Sequence, residues 1–104
     1  MSDKSIGLIE KITRKKMTLG NFLWSIRECE EMSQVEFSKL LGVSRQYLCD
    51  MEHNRRIVSA KAAADFARKL GYSPLHFVKL AIQDELNKSG LHLDIQINEE
   101  RKAA

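Results

Sequence analysis

The stretch SQVEFSKLLGVSRQYLCDMEHNRR, residues 33–56, has the start and stop signals of two short helices joined by a tight turn. Ser33 precedes the first helix, and Glu36 lies three residues further on, which is the spacing of a capping box. Gly42 follows the last apolar residues of that helix and can adopt the left-handed conformation that ends a helix sharply. Ser44 then caps the second helix. The stretch therefore predicts two consecutive helices in close contact.

The residue types between these caps suit two helices packed at a steep angle. Ser38 is small at the position where the two backbones should come closest. Apolar side chains recur where one helix should face the other and the rest of a core. These apolar residues are Phe37, Leu41, Val43, Leu48 and Met51.

Three further helices are predicted around this pair. Each carries an apolar stripe and begins after a hydroxyl residue, and the last two end at a glycine. The last also has proline at its first position. They run from Thr18 to about Glu31, from Ser59 to Gly71, and from Ser73 to Gly90. The predicted fold class is therefore all-α with five helices.

This combination resembles the Cro/lambda-repressor type of helix-turn-helix, also called the XRE family. The resemblance covers roughly residues 18–82 and implies a five-helix lambda-repressor-like domain that presents its third helix to the DNA major groove. It implies a transcriptional regulator, most simply a repressor. Asn54 stands where the family commonly has glycine, and Ser38 stands where it commonly has alanine. Both residues are compatible with the fold.

The resemblance also assigns roles to individual side chains. Arg45 can donate two hydrogen bonds to guanine, and Gln46 can pair with adenine. The residues expected to read bases are Arg45, Gln46, Tyr47 and Asp50, and those expected to contact phosphates are Gln34, Ser44, Asn54, Arg55 and Arg56. Arg27 and Glu52 match a partly buried pair that joins the first and third helices.

Residues 90–98, GLHLDIQIN, alternate apolar and polar side chains in the pattern of a β-strand with one buried face. Because a lone strand leaves its backbone groups unpaired, we expect it to pair antiparallel with its own copy across a two-fold axis. The dimer interface predicted on this basis consists of Phe77, Leu80, Ala81, Leu91, Leu93, Ile95 and Ile97. A homodimer on a palindromic double-stranded DNA operator follows.

Composition narrows the class of protein. The 104 residues carry a net charge of +3. We expect a basic arm over residues 1–17, a DNA-binding domain over 18–89, a dimerisation strand over 90–98 and a polar tail over 99–104. The two cysteines lack the spacing of a metal site, and no apolar run approaches a membrane span. We expect a cytoplasmic, bacterial or phage-encoded protein without membrane contact, metal, cofactor or catalytic activity.

Small repressor-type domains with a short tail also resemble HigA/HipB-like antitoxins of toxin–antitoxin operons. That resemblance implies a chain that represses its own operon and binds a cognate toxin. The contact surfaces it implies are the basic arm, Trp24 or the C-terminal tail, in which acidic residues outnumber basic ones over residues 83–104. Two alternatives stay open. One is a free-standing phage or plasmid-type repressor, and the other is a protein-interaction adaptor that does not bind DNA.

Overall fold

The computed structural model describes residues 17–100, and within that range the chain forms five α-helices and no strand. The helices are α1 (Leu19–Cys29), α2 (Gln34–Leu41), α3 (Arg45–Glu52), α4 (Ala60–Leu70) and α5 (Pro74–Lys88). The prediction of an all-α fold with five helices is confirmed. Residues 1–16 of the predicted arm and residues 101–104 of the predicted tail lie outside the described residues.

Side-chain hydroxyls start four of the five helices. In each case the hydroxyl oxygen accepts a hydrogen bond from the backbone N–H three residues further on, which satisfies one of the unpaired amides of the first turn. The capping residues are Thr18, Ser33, Ser44 and Ser59. At α2 the capping box is complete, because the Ser33 amide donates to Glu36 Oε1 at 3.0 Å. Ser73 makes no such bond, and α5 begins with Pro74 instead.

The turn between α2 and α3 is fixed at the C-terminal end of α2. Gly42 has a φ of 76°, a conformation that costs glycine little, and the Val43 amide donates to the Ser38 carbonyl at 3.0 Å. Lys69 reaches across from α4, and its Nζ donates to the Leu41 carbonyl at 3.0 Å. A cation at the negative end of the helix dipole is favourable there. The left-handed glycine and these two hydrogen bonds thus set the direction in which α3 begins.

A glycine lets α1 and α3 cross closely. A Cβ atom added to Gly20 would lie 1.9 Å from the backbone oxygen of Met51, so no side chain fits at this position without separating the two helices. Just after α3, Asn54 adopts a φ of 60°, which asparagine tolerates better than most residues. The chain therefore leaves α3 through a left-handed residue.

All five helices bury apolar side chains in one cluster. The cluster contains Leu19, Leu23, Ile26, Phe37, Leu41, Leu48, Met51, Val58, Ala63, Phe66, Ala67, Phe77, Leu80 and Ala81. Leu48 and Met51 contribute the inner side of α3 and are at most 1 % exposed. Because a helix repeats every 3.6 residues, burying these two positions turns the polar positions of α3 outward.

The described chain has no strand between residues 17 and 100, so the predicted strand over residues 90–98 is not supported. Gly90 ends α5 with a φ of 78°, and the backbone that follows has no neighbouring strand. It is held instead by Gln83, whose Nε2 donates to the Leu93 carbonyl at 2.6 Å and whose Oε1 accepts from the Ile95 amide at 3.1 Å. A β-strand needs a second backbone that pairs with it along its length, and the Gln83 side chain supplies only one pair of such hydrogen bonds.

The residues of the predicted dimer interface differ in how far the single chain already buries them. Phe77, Leu80 and Ala81 lie in the core of the chain itself, with at most 8 % of their surface exposed, so they offer almost nothing to a second copy. The apolar band of α5 is used internally, since this helix packs against α4 and α1. Leu91 and Leu93 are 48 % and 56 % exposed, and Ile95 and Ile97 are half-buried.

Candidate nucleic-acid interface

The outward side of α3 presents polar side chains at its N-terminal end. Arg45 and Gln46 are the first two residues of the helix, and both are exposed. Tyr47 and Asp50 lie beside them and are half-buried. Among residues 17–100, the Arg45 guanidinium has no hydrogen-bond or ion-pair partner, so its donors are available to a ligand. The structure thus brings all four predicted base-reading residues onto one surface.

Three of the polar side chains on this surface form a network centred on Asp50. Gln46 Nε2 donates to Asp50 Oδ1 at 3.0 Å, and Arg55 Nε donates to the same oxygen at 3.1 Å. The hydrogen bond from Gln46 is the largest cause of a lowered pKa at Asp50, burial opposes it, and Arg55 adds to the lowering. Asp50 is therefore a carboxylate at neutral pH, and Arg55 compensates its negative charge.

Arg56 packs against the next side chain of α3. Its guanidinium carbon lies 4.1 Å from the centroid of the Tyr47 ring, which is a cation–π contact. Tyr47 itself packs against the core cluster, so the ring is a fixed support. Arg55 and Arg56 therefore both project beside α3 from the loop that follows it, and both stay exposed.

A partly buried ion pair anchors the other end of α3. Arg27 Nε and Glu52 Oε2 are 2.7 Å apart, a second bond joins the two groups at 3.1 Å, and their side chains are 13 % and 2 % exposed. The hydrogen bond from Glu52 is the main reason that the pKa of Arg27 is raised above its usual value. Gln34 Nε2 also donates to Glu52, at 3.0 Å. The first residue of α2 and the last turn of α1 are thus tied to the last residue of α3.

The chain matches the helix-turn-helix family over residues 25–77, which is about half of its length and includes all of α2, α3 and α4. It belongs to the helix-turn-helix family. The match is to the XRE type, a family of DNA-binding transcription regulators, and it supports that function for this chain. Neither the curated proteins nor the solved structures contain a match to the sequence.

Like the other predicted phosphate-contacting residues of this helix-turn-helix domain, Ser44 and Asn54 have internal partners. The Ser44 hydroxyl oxygen accepts from the Tyr47 amide at 3.0 Å. Asn54 Oδ1 accepts from the Thr18 hydroxyl at 2.6 Å, and Asn54 Nδ2 donates to Asn21 Oδ1 at 3.1 Å. The Asn54 side chain therefore links the end of α3 to the start of α1, and both ends of its carboxamide have internal partners.

Sequence reasoning missed two groups of residues in this domain. The link from Gln46 to Asp50 had a local signal, because glutamine and aspartate four residues apart on a helix form a hydrogen bond. The contacts of Asn54 with Thr18 and Asn21 had none, because they join residues more than thirty positions apart. Only the fold reveals them.

Two further kinds of feature are absent among the described residues of this helix-turn-helix chain. Between residues 17 and 100 there is no group of three His, Cys, Asp or Glu side chains that could hold a metal ion. In the same range no helix has both the length and the apolar character needed to cross a membrane.

Proposed function

We propose that this chain is a sequence-specific repressor that binds a palindromic operator as a homodimer. The observation that carries the proposal is the outward side of α3, where Arg45 and Gln46 are exposed at the N-terminal end of a helix whose opposite side is buried. A recognition helix contacts base edges in the major groove with its N-terminal residues. An adaptor that does not bind DNA gives no reason for this arrangement of donors.

We assign the proposed DNA contacts according to which hydrogen-bond donors each side chain still has available. Arg45 and Gln46 read base edges, and Tyr47 and Asp50 flank them. Arg55 and Arg56 contact phosphates, because both are exposed cations on the loop beside α3. Contacts of this kind fix the register of a domain on the duplex without reading sequence.

The structure supports a narrower role for the remaining predicted phosphate contacts. Gln34 is half-buried and bonded to Glu52, so we assign it mainly to bracing α3. The side chains of Ser44 and Asn54 are bonded to internal partners, so these two residues would contact phosphates through their backbone amides or through neighbouring residues. Their substitution should therefore affect stability as well as DNA affinity.

Dimerisation is proposed because two half-sites about one helical turn apart add the specificity of two recognition helices. The surface that remains available for this from the predicted interface is the apolar part of the C-terminal segment, Leu91 and Leu93. Light scattering on the full chain should show a dimer. The variant Leu91→Ser/Leu93→Ser should shift it toward the monomer, and a wild-type chain that is monomeric at high concentration would contradict the proposal.

A finer proposal is that the chain is the antitoxin of a toxin–antitoxin operon and represses its own promoter. What supports it is a set of exposed apolar side chains outside α3, which a partner protein would cover. They include Trp24 on α1, Val35 and Leu40 on α2, and Tyr72 between α4 and α5. The test is genetic: a neighbouring reading frame should be lethal when expressed alone and harmless when this chain is co-expressed.

The DNA-binding proposal is tested by titrating the full chain with a duplex from its own promoter and with a scrambled duplex of equal length. We expect preference for the promoter duplex. With about six phosphate contacts per dimer, log K should fall with a slope near −5 against log salt concentration. Equal affinity for both duplexes at every salt concentration would rule out sequence-specific binding.

The assignment of the recognition helix is tested by Arg45→Ala/Gln46→Ala. We expect the preference for the promoter duplex to be lost while weak, salt-sensitive binding to both duplexes persists, because the phosphate-contacting arginines remain. Lys61→Ala/Lys79→Ala is a control that removes two exposed cations from α4 and α5. It should leave the preference intact, and a recognition-helix variant with unchanged preference would overturn the assignment.

A further inference from the structure

The side-chain amide of Gln46 has one defined orientation on the reading surface. Its Nε2 donates to Asp50 Oδ1 at 3.0 Å, and Asp50 accepts two more contacts at 3.1 Å from the Arg55 guanidinium. A carboxylate can only accept hydrogen bonds. If the amide were turned over, Oε1 would face the carboxylate oxygen and the two acceptors would repel each other. The carboxylate thus sets which end of the amide points inward.

This orientation determines what Gln46 has left for a base. One N–H is committed to Asp50, so the outward edge consists of one remaining N–H and the carbonyl oxygen. Adenine presents an acceptor, N7, beside a donor, N6–H, in the major groove, and these two groups match that edge. Guanine presents two acceptors, N7 and O6, and would need both N–H groups of the amide.

We infer that Asp50 is a positioning residue that holds the Gln46 amide so that it reads adenine and rejects guanine. The inference rests on the proposed function and deepens it, because it names the base at one operator position. Asp50 acts here through Gln46. Arg55 compensates the charge of the carboxylate and so reduces its repulsion from the DNA phosphates. The lowered pKa of Asp50 keeps the carboxylate ionised at the pH at which DNA is bound.

Arg55 and Asp50 should therefore have different effects when they are removed. Loss of Arg55 removes a cation from the DNA-facing side and leaves an uncompensated carboxylate, which weakens binding to all sequences. Loss of Asp50 removes a negative charge, which strengthens binding to all sequences, and frees the amide to rotate. Only the second change alters the choice of base.

The experiment is selection of bound duplexes from a pool in which the half-site is randomised, followed by binding titrations on adenine and guanine versions of the selected site. The position read by Gln46 is the one whose preference disappears in Gln46→Ala. For the wild-type chain we expect adenine at that position, favoured over guanine by about 10-fold or more. In Asp50→Ala the preference should fall to within about 3-fold, whereas Asp50→Asn keeps an acceptor oxygen and should retain an intermediate preference.

Two controls separate positioning from charge and folding. Asp65→Asn removes the same charge from an exposed position on α4 and should leave the adenine preference unchanged. Arg55→Met should lower affinity for the adenine and guanine duplexes equally. Thermal unfolding of every variant should stay close to that of the wild type, because Asp50, Arg55 and Asp65 lie outside the core cluster.

The outcomes distinguish this inference from the proposed function. A wild-type chain that selects no sequence overturns both. A Gln46-dependent position occupied by a base other than adenine overturns the inference and leaves sequence-specific binding intact. An adenine preference that is the same in Asp50→Ala and in the wild type also overturns it, because Gln46 then needs no help to choose its base.

Discussion

The α2–α3 pair and the C-terminal segment that follows α5 hold their backbones by different means. Around α2 and α3, hydroxyl caps, a left-handed glycine, a lysine from α4 and the Arg27–Glu52 pair each satisfy different groups. Beyond Leu91, the hydrogen bonds that the described segment makes with the rest of the chain all go to Gln83. One region has many independent supports, and the other has a single hydrogen-bonding side chain.

This difference has a consequence for what each region can do. A surface that reads bases must keep its donors in place before the ligand arrives, and the multiple anchors of α3 provide that. A segment with one anchor opens locally at little cost and can exchange its contacts for those of a partner. The contrast predicts that removing one anchor near α3 affects the whole domain, whereas removing Gln83 affects only its segment.

The strongest test of this contrast is Arg27→Met. The substitution leaves Glu52, which is almost fully buried, with Gln34 as its remaining partner. Removing one member of such a pair should lower the free energy of unfolding by about 3 kcal/mol. Urea unfolding measures the loss. The double variant Arg27→Met/Glu52→Leu is the control and should recover most of it, because no buried charge is then left unpaired, and a double variant as unstable as the single one would contradict this account.

The close crossing of α1 and α3 is tested by Gly20→Ala. The new Cβ would meet the Met51 carbonyl, and overpacking against backbone outweighs the gain of about 1 kcal/mol from replacing glycine in a helix. We expect a net loss of about 2 kcal/mol in urea unfolding. Gly71→Ala is a useful comparison, since nothing lies within 4 Å of its added Cβ and only the left-handed backbone resists it. A stabilised Gly20→Ala variant would show that the helices separate freely.

The α2–α3 turn and the crossing of α1 with α3 show how much of the structure could be predicted from the sequence. The caps at Ser33 and Ser44 and the turn at Gly42 are local features, and the structure has all of them. The closeness of Gly20 to Met51 could not be predicted, because the two residues become neighbours only when α1 crosses α3. The predicted strand has no support among the described residues for a related reason. Alternating Leu and Ile residues after Gly90 specify a half-buried face, but a strand also requires a neighbouring backbone.

The C-terminal segment is tested by Gln83→Ala. We expect faster hydrogen exchange at the Ile95 amide, because this N–H loses its acceptor, while the amides of α3 keep their protection. The free energy of unfolding should change by less than about 1 kcal/mol. Gln96→Ala, at an exposed position of the same segment, should leave Ile95 unchanged. Loss of protection throughout α3 would mean that the two regions are coupled after all.

The smallest effect is expected at Asp84, which lies on α5 next to Gln83 but contacts the start of α1. Its Oδ2 accepts from the Leu19 amide at 2.9 Å, whereas its buried Oδ1 has no hydrogen-bond partner among the described residues. Burial raises the pKa of Asp84, and the hydrogen bond from Leu19 opposes that rise only in part. The folded chain therefore binds the proton of this carboxyl more tightly than the unfolded chain does.

The pH dependence follows from that direction. As pH rises from the unfolded pKa of an aspartate, about 4, through the raised folded pKa, the unfolded state ionises first, and the contribution of Asp84 to stability falls. Asp84→Asn keeps an acceptor for the Leu19 amide and removes the charge. The difference in free energy of unfolding between Asp84→Asn and the wild type should grow with pH across this window, to less than about 1 kcal/mol, because solvent screens a partly exposed carboxyl. Urea unfolding at several pH values measures it, with Asp94→Asn, exposed on the C-terminal segment, as the control that should show no such trend. A wild-type advantage that grows with pH would mean that the Asp84 carboxylate stabilises the start of α1 by more than its burial costs.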